Sequence, residues 1–184
     1  IFPDACTPER LDATAQGVVN AMRFARQGQS CTAGSRLFVH ASVWAELMPL
    51  VAKKAAGMIV GDALDEASDI GAVINGERYG EICDYVAQAE QQGATFLTGE
   101  TPKPTEKGVH PIPTILTGLD NSWRIAREEV FGPVLVAIPW EDEADMIAQA
   151  NDTHYGLAAF IFSHDMSTIL RMTRALEAGW VQVN

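Results

Sequence analysis

The chain has little positive charge and nowhere concentrates it. Thirteen Lys and Arg stand against 24 Asp and Glu, a formal net charge of −11, and Lys53-Lys54 is the only adjacent basic pair. So acidic a surface repels phosphate backbones and anionic lipid, and neither nucleic acid nor a membrane surface is an expected partner. Apolar runs are short as well: none reaches the roughly eighteen residues of a bilayer span, and no secretory signal opens the chain. Cysteine is scarce. Cys6, Cys31 and Cys83 make an odd count with no C-x-x-C, which excludes a disulfide framework and a thiolate metal site and points to a reducing, cytoplasmic setting. There is also no G-x-G-x-x-G, no phosphate loop of the G-x-x-x-x-G-K-[ST] type, no G-x-S-x-G and no H-E-x-x-H. The histidines (His40, His110, His154, His164) lie far apart without neighbouring ligands, so no metal is expected.

The chain does have apolar residues in quantity. They form 47% of 184 residues, against 20% charged, which excludes disorder and suffices for one buried core. No repeat, low-complexity tract or second composition zone divides it, so residues 1–184 are expected to form one domain. Ile1 at one end and the apolar Gly179–Asn184 stretch at the other give the expectation of a piece of a larger fold.

Glycine and proline punctuate an alternation of helical and extended patterns. Thr7 and Pro8 read as the start of a first helix, with a stripe of Leu11, Ala15, Val18, Met22 and Ala25 at spacings of three and four. Residues 35–40 read as a strand. Ser42 is the expected cap of a second helix, which Pro49 should kink or split. A third helix is expected over 76–92 with Gly93 just past its end, then a strand over 94–97 and a long loop over 99–113. Strands at 114–116 and 134–138, a helix at 143–150, a strand at 158–162, a helix at 166–178 and a strand at 180–183 complete the series. Short apolar strands between ten- to eighteen-residue helices imply an α/β fold with a mostly parallel, twisted sheet flanked by helices.

Two segments could carry chemistry. Cys31 lies in Gly28-Gln29-Ser30-Cys31-Thr32-Ala33-Gly34-Ser35-Arg36, between a helix and a strand. Small flanking residues give a thiol access to a carbonyl and leave backbone N–H groups for an oxyanion. By itself the pattern favours a buried cysteine in a tight turn. Cys6 and Cys83 lack this context and read as structural. In Glu128-Glu129-Val130-Phe131-Gly132-Pro133, a carboxylate and an aromatic ring stand at the entrance to an apolar strand. They could hold a ribose hydroxyl and cover a ring, or be a solvated charge beside a core phenylalanine.

In order and spacing, these segments resemble the aldehyde dehydrogenase superfamily over nearly the whole chain. The cysteine segment is similar to the family's active-site block, and 124–134 is similar to its E-E-[IV]-F-G-P block. Ala150-Asn151-Asp152-Thr153-His154-Tyr155-Gly156-Leu157-Ala158-Ala159 is similar to A-N-x-x-x-Y-G-L-A-A, and the closing Gly179–Asn184 resembles G-x-V-x-V-N. The resemblance implies the cysteine-bearing catalytic domain of an enzyme that oxidises a small-molecule aldehyde to a carboxylic acid with NAD or NADP. Cys31 would be the nucleophile, passing through a thiohemiacetal and a thioester, and its backbone N–H an oxyanion donor. Glu129 would bind the nicotinamide ribose, with Phe131 against the ring and Glu128 off register. The family's general-base glutamate, oxyanion asparagine, dinucleotide-binding domain and C-terminal tail have no counterpart here, so the isolated chain is expected to be inactive and its parent a homo-oligomer. Two other classes stand beside this reading: a non-catalytic binding or assembly module of the same fold, and a cysteine hydrolase pairing Cys31 with His154.

Overall fold

A computed structural model describes residues 1–102 and 109–184; the middle of the loop expected over 99–113 therefore lies outside the described residues. Helices α1 (Leu11–Ala21), α2 (Ala41–Ala56), α3 (Gly76–Gln91), α4 (Arg124–Arg127), α5 (Glu143–Asn151) and α6 (Met166–Ala175) are interspersed with strands β1 (Arg36–His40), β2 (Thr95–Thr98), β3 (Thr114–Thr117), β4 (Val134–Trp140), β5 (Ala158–Ile161) and β6 (Trp180–Val183), α2 leading directly to α3 and β2 to β3. The main sheet runs β1-β4-β3-β2. β4 pairs in parallel with β1 and β3, and only the edge strand β2 is antiparallel. β5 and β6 form a separate parallel pair.

The pleat explains the layering. Along β4, Leu135 and Ala137 face one way, with Leu37 and Val39 of β1, and pack against Val18 and Val19 of α1 and Leu47 and Val51 of α2. Val134, Val136 and Ile138 face the other way and pack against Ile82 and Val86 of α3 and Ile125 of α4. A strand buried on both faces must read as a continuous apolar run, as β4 does. A third cluster of Trp140, Met146, Ile161 and Met172 joins α5 and α6 to β5 and the end of β4.

Several element ends differ from the sequence expectation, each for a local reason. Helix α1 begins at Leu11 rather than Pro8; the Thr7 contribution is its backbone carbonyl, which accepts from the Arg10 and Leu11 amides at 2.9 Å each. Ala25 falls beyond the helix and is exposed. His40, not Ser42, caps α2, its Nδ1 accepting from the Ser42 amide at 3.2 Å. Pro49 does not split α2: it lies on the exposed face, where the carbonyl its ring leaves unpaired can turn to water. Helix α6 stops at Ala175, three residues early, because Asn151 Nδ2 takes the Ala175 carbonyl (2.8 Å) and Asn151 Oδ1 takes the Glu177 amide (3.0 Å). Gly93 follows α3 with φ 104, as a residue past a helix end should.

Candidate active site

The cysteine segment leaves α1 through a tight turn. Arg23 (φ 60), Gln27 (φ 56) and Gly28 (φ 64) are all left-handed, and the short turn Phe24–Arg26 lies between the first two. This reversal delivers residues 29–35 to the mouth of the sheet. Gln29 is tied to a distant loop by accepting from the Ile74 amide (3.0 Å), and Gly34 donates to the Ala21 carbonyl (2.9 Å). Between those anchors Cys31 is exposed, whereas Cys6 and Cys83 are buried. Burial pushes the thiols of Cys6 and Cys83 above the usual cysteine range. Among the described residues the Cys31 amide donates to no protein acceptor.

Cys31 opens into a cleft of ≈ 370 Å³. Glu128, Glu129, Tyr155 and residues 156–160 line the same cleft, so segments far apart in sequence meet there. The two glutamates differ. Glu128 Oε2 accepts from Tyr85 Oη (2.6 Å) and Arg124 Nε (3.0 Å), and these donors hold its carboxyl below the usual glutamate range. The Glu129 carboxylate makes no hydrogen bond or ion pair among the described residues, while its amide donates to Tyr155 Oη (3.3 Å). Phe131 is half-buried and not among the cleft-lining residues; its backbone is left-handed (φ 51), a costly state for an aromatic residue.

Other side chains hold these segments in register. Arg36, at the end of the cysteine segment, donates to Asn121 Oδ1 and to the Gln149 and Ala150 carbonyls (3.0 and 2.9 Å) at the C-terminus of α5. Cation and helix-end carbonyls suit one another electrostatically. Arg127, just before the glutamate pair, clamps Asp152, with Nη2 to Oδ1 at 3.0 Å. Sequence reasoning passed over Arg36, Arg127 and Tyr155, although each lies within a quoted block; their contacts span tens of residues and leave no local pattern. His154 does not line the cleft, and among the described residues no hydrogen bond joins it to Cys31, the pairing that a cysteine hydrolase would need. No group of three or more His, Cys, Asp or Glu among the described residues could hold a metal ion. Among the described residues no helix is long and apolar enough to cross a membrane.

An α/β sheet thus brings to one cleft an exposed cysteine and a carboxylate that is unpaired among the described residues. The model of the aldehyde dehydrogenase family matches residues 1–184, and the chain belongs to that family. It is 38% identical over its whole length to 5-carboxymethyl-2-hydroxymuconate semialdehyde dehydrogenase of Escherichia coli, covering 39% of that protein. It is 40% identical over 88% of its length to a chloroplastic betaine aldehyde dehydrogenase of Atriplex hortensis, covering 32% of it. Among solved structures, a mutant aldehyde dehydrogenase C of Pseudomonas syringae in complex with NAD+ and octanal superposes on the whole chain with a TM-score of 0.91 at 31% identity, over 37% of its own length. The chain thus spans about a third of the length of such relatives.

Proposed function

We propose that the full-length protein oxidises an aldehyde to a carboxylic acid with NAD or NADP, and that residues 1–184 supply its nucleophile and part of its cofactor site. The carrying observation is the meeting of an exposed Cys31 and an otherwise unbonded Glu129 carboxylate in one cleft. Their separation in sequence makes this a property of the fold. A structural cysteine would be sealed like Cys6, and a structural carboxylate would be paired like Glu128.

The Cys31 thiolate adds to the carbonyl carbon of the aldehyde, and the oxygen takes the negative charge. The Cys31 amide, which has no protein acceptor among the described residues, is available to donate to that oxygen. NAD(P)+, when bound, supplies the hydride acceptor. Loss of hydride from the carbon leaves a thioester on Cys31, and water releases the acid and restores the thiol. The Glu129 carboxylate has open lone pairs for a ribose diol, and the Tyr155 hydroxyl fixes its backbone. The same relatives favour an enzyme over an assembly module, since an assembly role requires neither group.

The test is steady-state kinetics of the full-length protein with aldehyde and NAD+ or NADP+. Cys31→Ala should abolish reduced-cofactor production and Cys83→Ala should leave it largely intact. Turnover without either cofactor, or full activity in Cys31→Ala, overturns the proposal.

A further inference from the structure

On the other side of α1 the fold makes a second concavity, of ≈ 740 Å³, that shares no lining residue with the Cys31 cleft. Arg23, Arg26, Lys53 and Lys54 line it, four of the thirteen basic residues of a chain whose net charge is −11. In sequence these residues are two separated pairs; α1 and its turn supply one, and the last turn of α2 the other. Two acids share the wall. Asp12 is paired with Lys54 Nζ at 2.9 Å, and Asp69 accepts from the Ile59 amide at 2.8 Å.

The other cations are uncompensated. Among the described residues, the side chains of Arg23, Arg26, Lys53 and Arg174 alone, of all Lys and Arg, make no hydrogen bond or ion pair with the protein; three of these four line this one concavity. Arg26 and Lys53 are exposed, but the Arg23 Nε is buried and has no acceptor. A buried guanidinium N–H without a partner is costly, and natural interiors seldom leave one. The Arg23 backbone is left-handed and fixed there, its carbonyl accepting from the Arg26 (2.8 Å) and Gly28 (3.0 Å) amides. Three cations that face one concavity, none of them paired with either acid of its wall, repel one another, an arrangement that lowers stability unless an anion joins them.

We propose that this concavity binds a phosphate-type dianion, either free phosphate or the phosphate group of a small metabolite. Guanidinium groups match phosphate oxygens with paired donors, and Lys53 adds a mobile point charge. The site is independent of the dehydrogenase reading, because none of its residues lines the Cys31 cleft. It does lie on the turn that leads into the cysteine segment, so an anion there would also brace residues 23–28.

The test uses the full-length protein and inorganic phosphate, by isothermal titration calorimetry and thermal melts, at low ionic strength with chloride matched for ionic strength as control. Saturable binding and a phosphate-specific rise in Tm are expected, and glycerol phosphate should compete if the site takes a phosphate monoester. The double variant Arg26→Gln/Lys53→Gln changes only exposed side chains and should weaken phosphate binding at least tenfold; Arg174→Gln should not. Equal responses to phosphate and chloride, or undiminished binding in the double variant, overturn the proposal. So does a wild type that binds no phosphate while the double variant is destabilised, which would assign the cations to an acidic segment elsewhere in the full-length chain.

Discussion

Gly28 and Gly132 lie backbone to backbone. A Cβ built on Gly28 would overlap the Gly132 carbonyl oxygen and stand 2.5 Å from its carbon. This contact joins the cysteine turn to the segment that carries Glu129, and only a residue without a side chain permits it. The left-handed φ of 64 at Gly28 imposes the same requirement independently.

Gly28→Ala should therefore destabilise the protein by roughly 2–4 kcal/mol, since both backbones must shift. Gly80, inside α3 with open space around it, is the control: Gly80→Ala should stabilise by up to about 1 kcal/mol. Thermal melts of both variants measure the contrast. Equal effects would show that the contact between the two segments is not tight.

The three thiols should separate cleanly in rate. Cys31 is exposed, whereas burial covers Cys6 and Cys83 and raises their pKa values. Iodoacetamide at neutral pH followed by peptide mass spectrometry should label Cys31 first, with the other two reacting only on unfolding.

Glu129→Gln in the full-length protein removes a carboxylate that has no partner among the described residues, so stability should hardly change. Loss of a charge-assisted hydrogen bond of roughly 1.5–3 kcal/mol should slow hydride transfer about 10- to 150-fold. Ester hydrolysis by Cys31, which needs no hydride acceptor, should survive. Glu128→Gln should affect hydride transfer much less, because Glu128 is engaged by Tyr85 and Arg124. Equal loss of both activities in Glu129→Gln would assign that residue to the thiol chemistry instead.

Arg36 joins β1 to the end of α5 and to Asn121. Arg36→Met keeps the stem and removes the donors, and should cost roughly 2–3 kcal/mol. Arg36→Lys should recover little, since a single ammonium cannot reproduce the planar fork. Denaturant melts of the two variants test this directly.

Acid should loosen the clamp beside the site. The hydrogen bond and charge of Arg127 hold Asp152 below the usual aspartate range. A depressed folded-state pKa contributes stability that is present above the unfolded value and lost as pH falls through the folded one. Wild type should thus exceed Asp152→Asn in Tm near neutrality, and the gap should close in acid below the ordinary aspartate pKa. A gap independent of pH would mean that the pair contributes through packing rather than charge.

The sequence alone determined the order of elements, because their signals are local. The 3.6-residue stripes of α1 and α3, the glycine after α3 and the continuous apolar run of β4 need no distant partner to be read. The run of small residues around Cys31 likewise marked a candidate thiol, and the resemblance of four ordered blocks gave the family. Tertiary structure decided what those local signals leave open. Whether Cys31 is sealed or exposed, and which glutamate is unpaired, depends on Gln29 reaching Ile74 and on Tyr85 and Arg124 reaching Glu128. The end of α6 is set by Asn151, and the cap of α2 by a histidine whose ring happens to face Ser42. Basic residues that look scattered along the chain become one cationic concavity only when α1 packs on α2. Charge and hydrogen bonding act through space, so chain positions tens of residues apart fix them only once the core has formed.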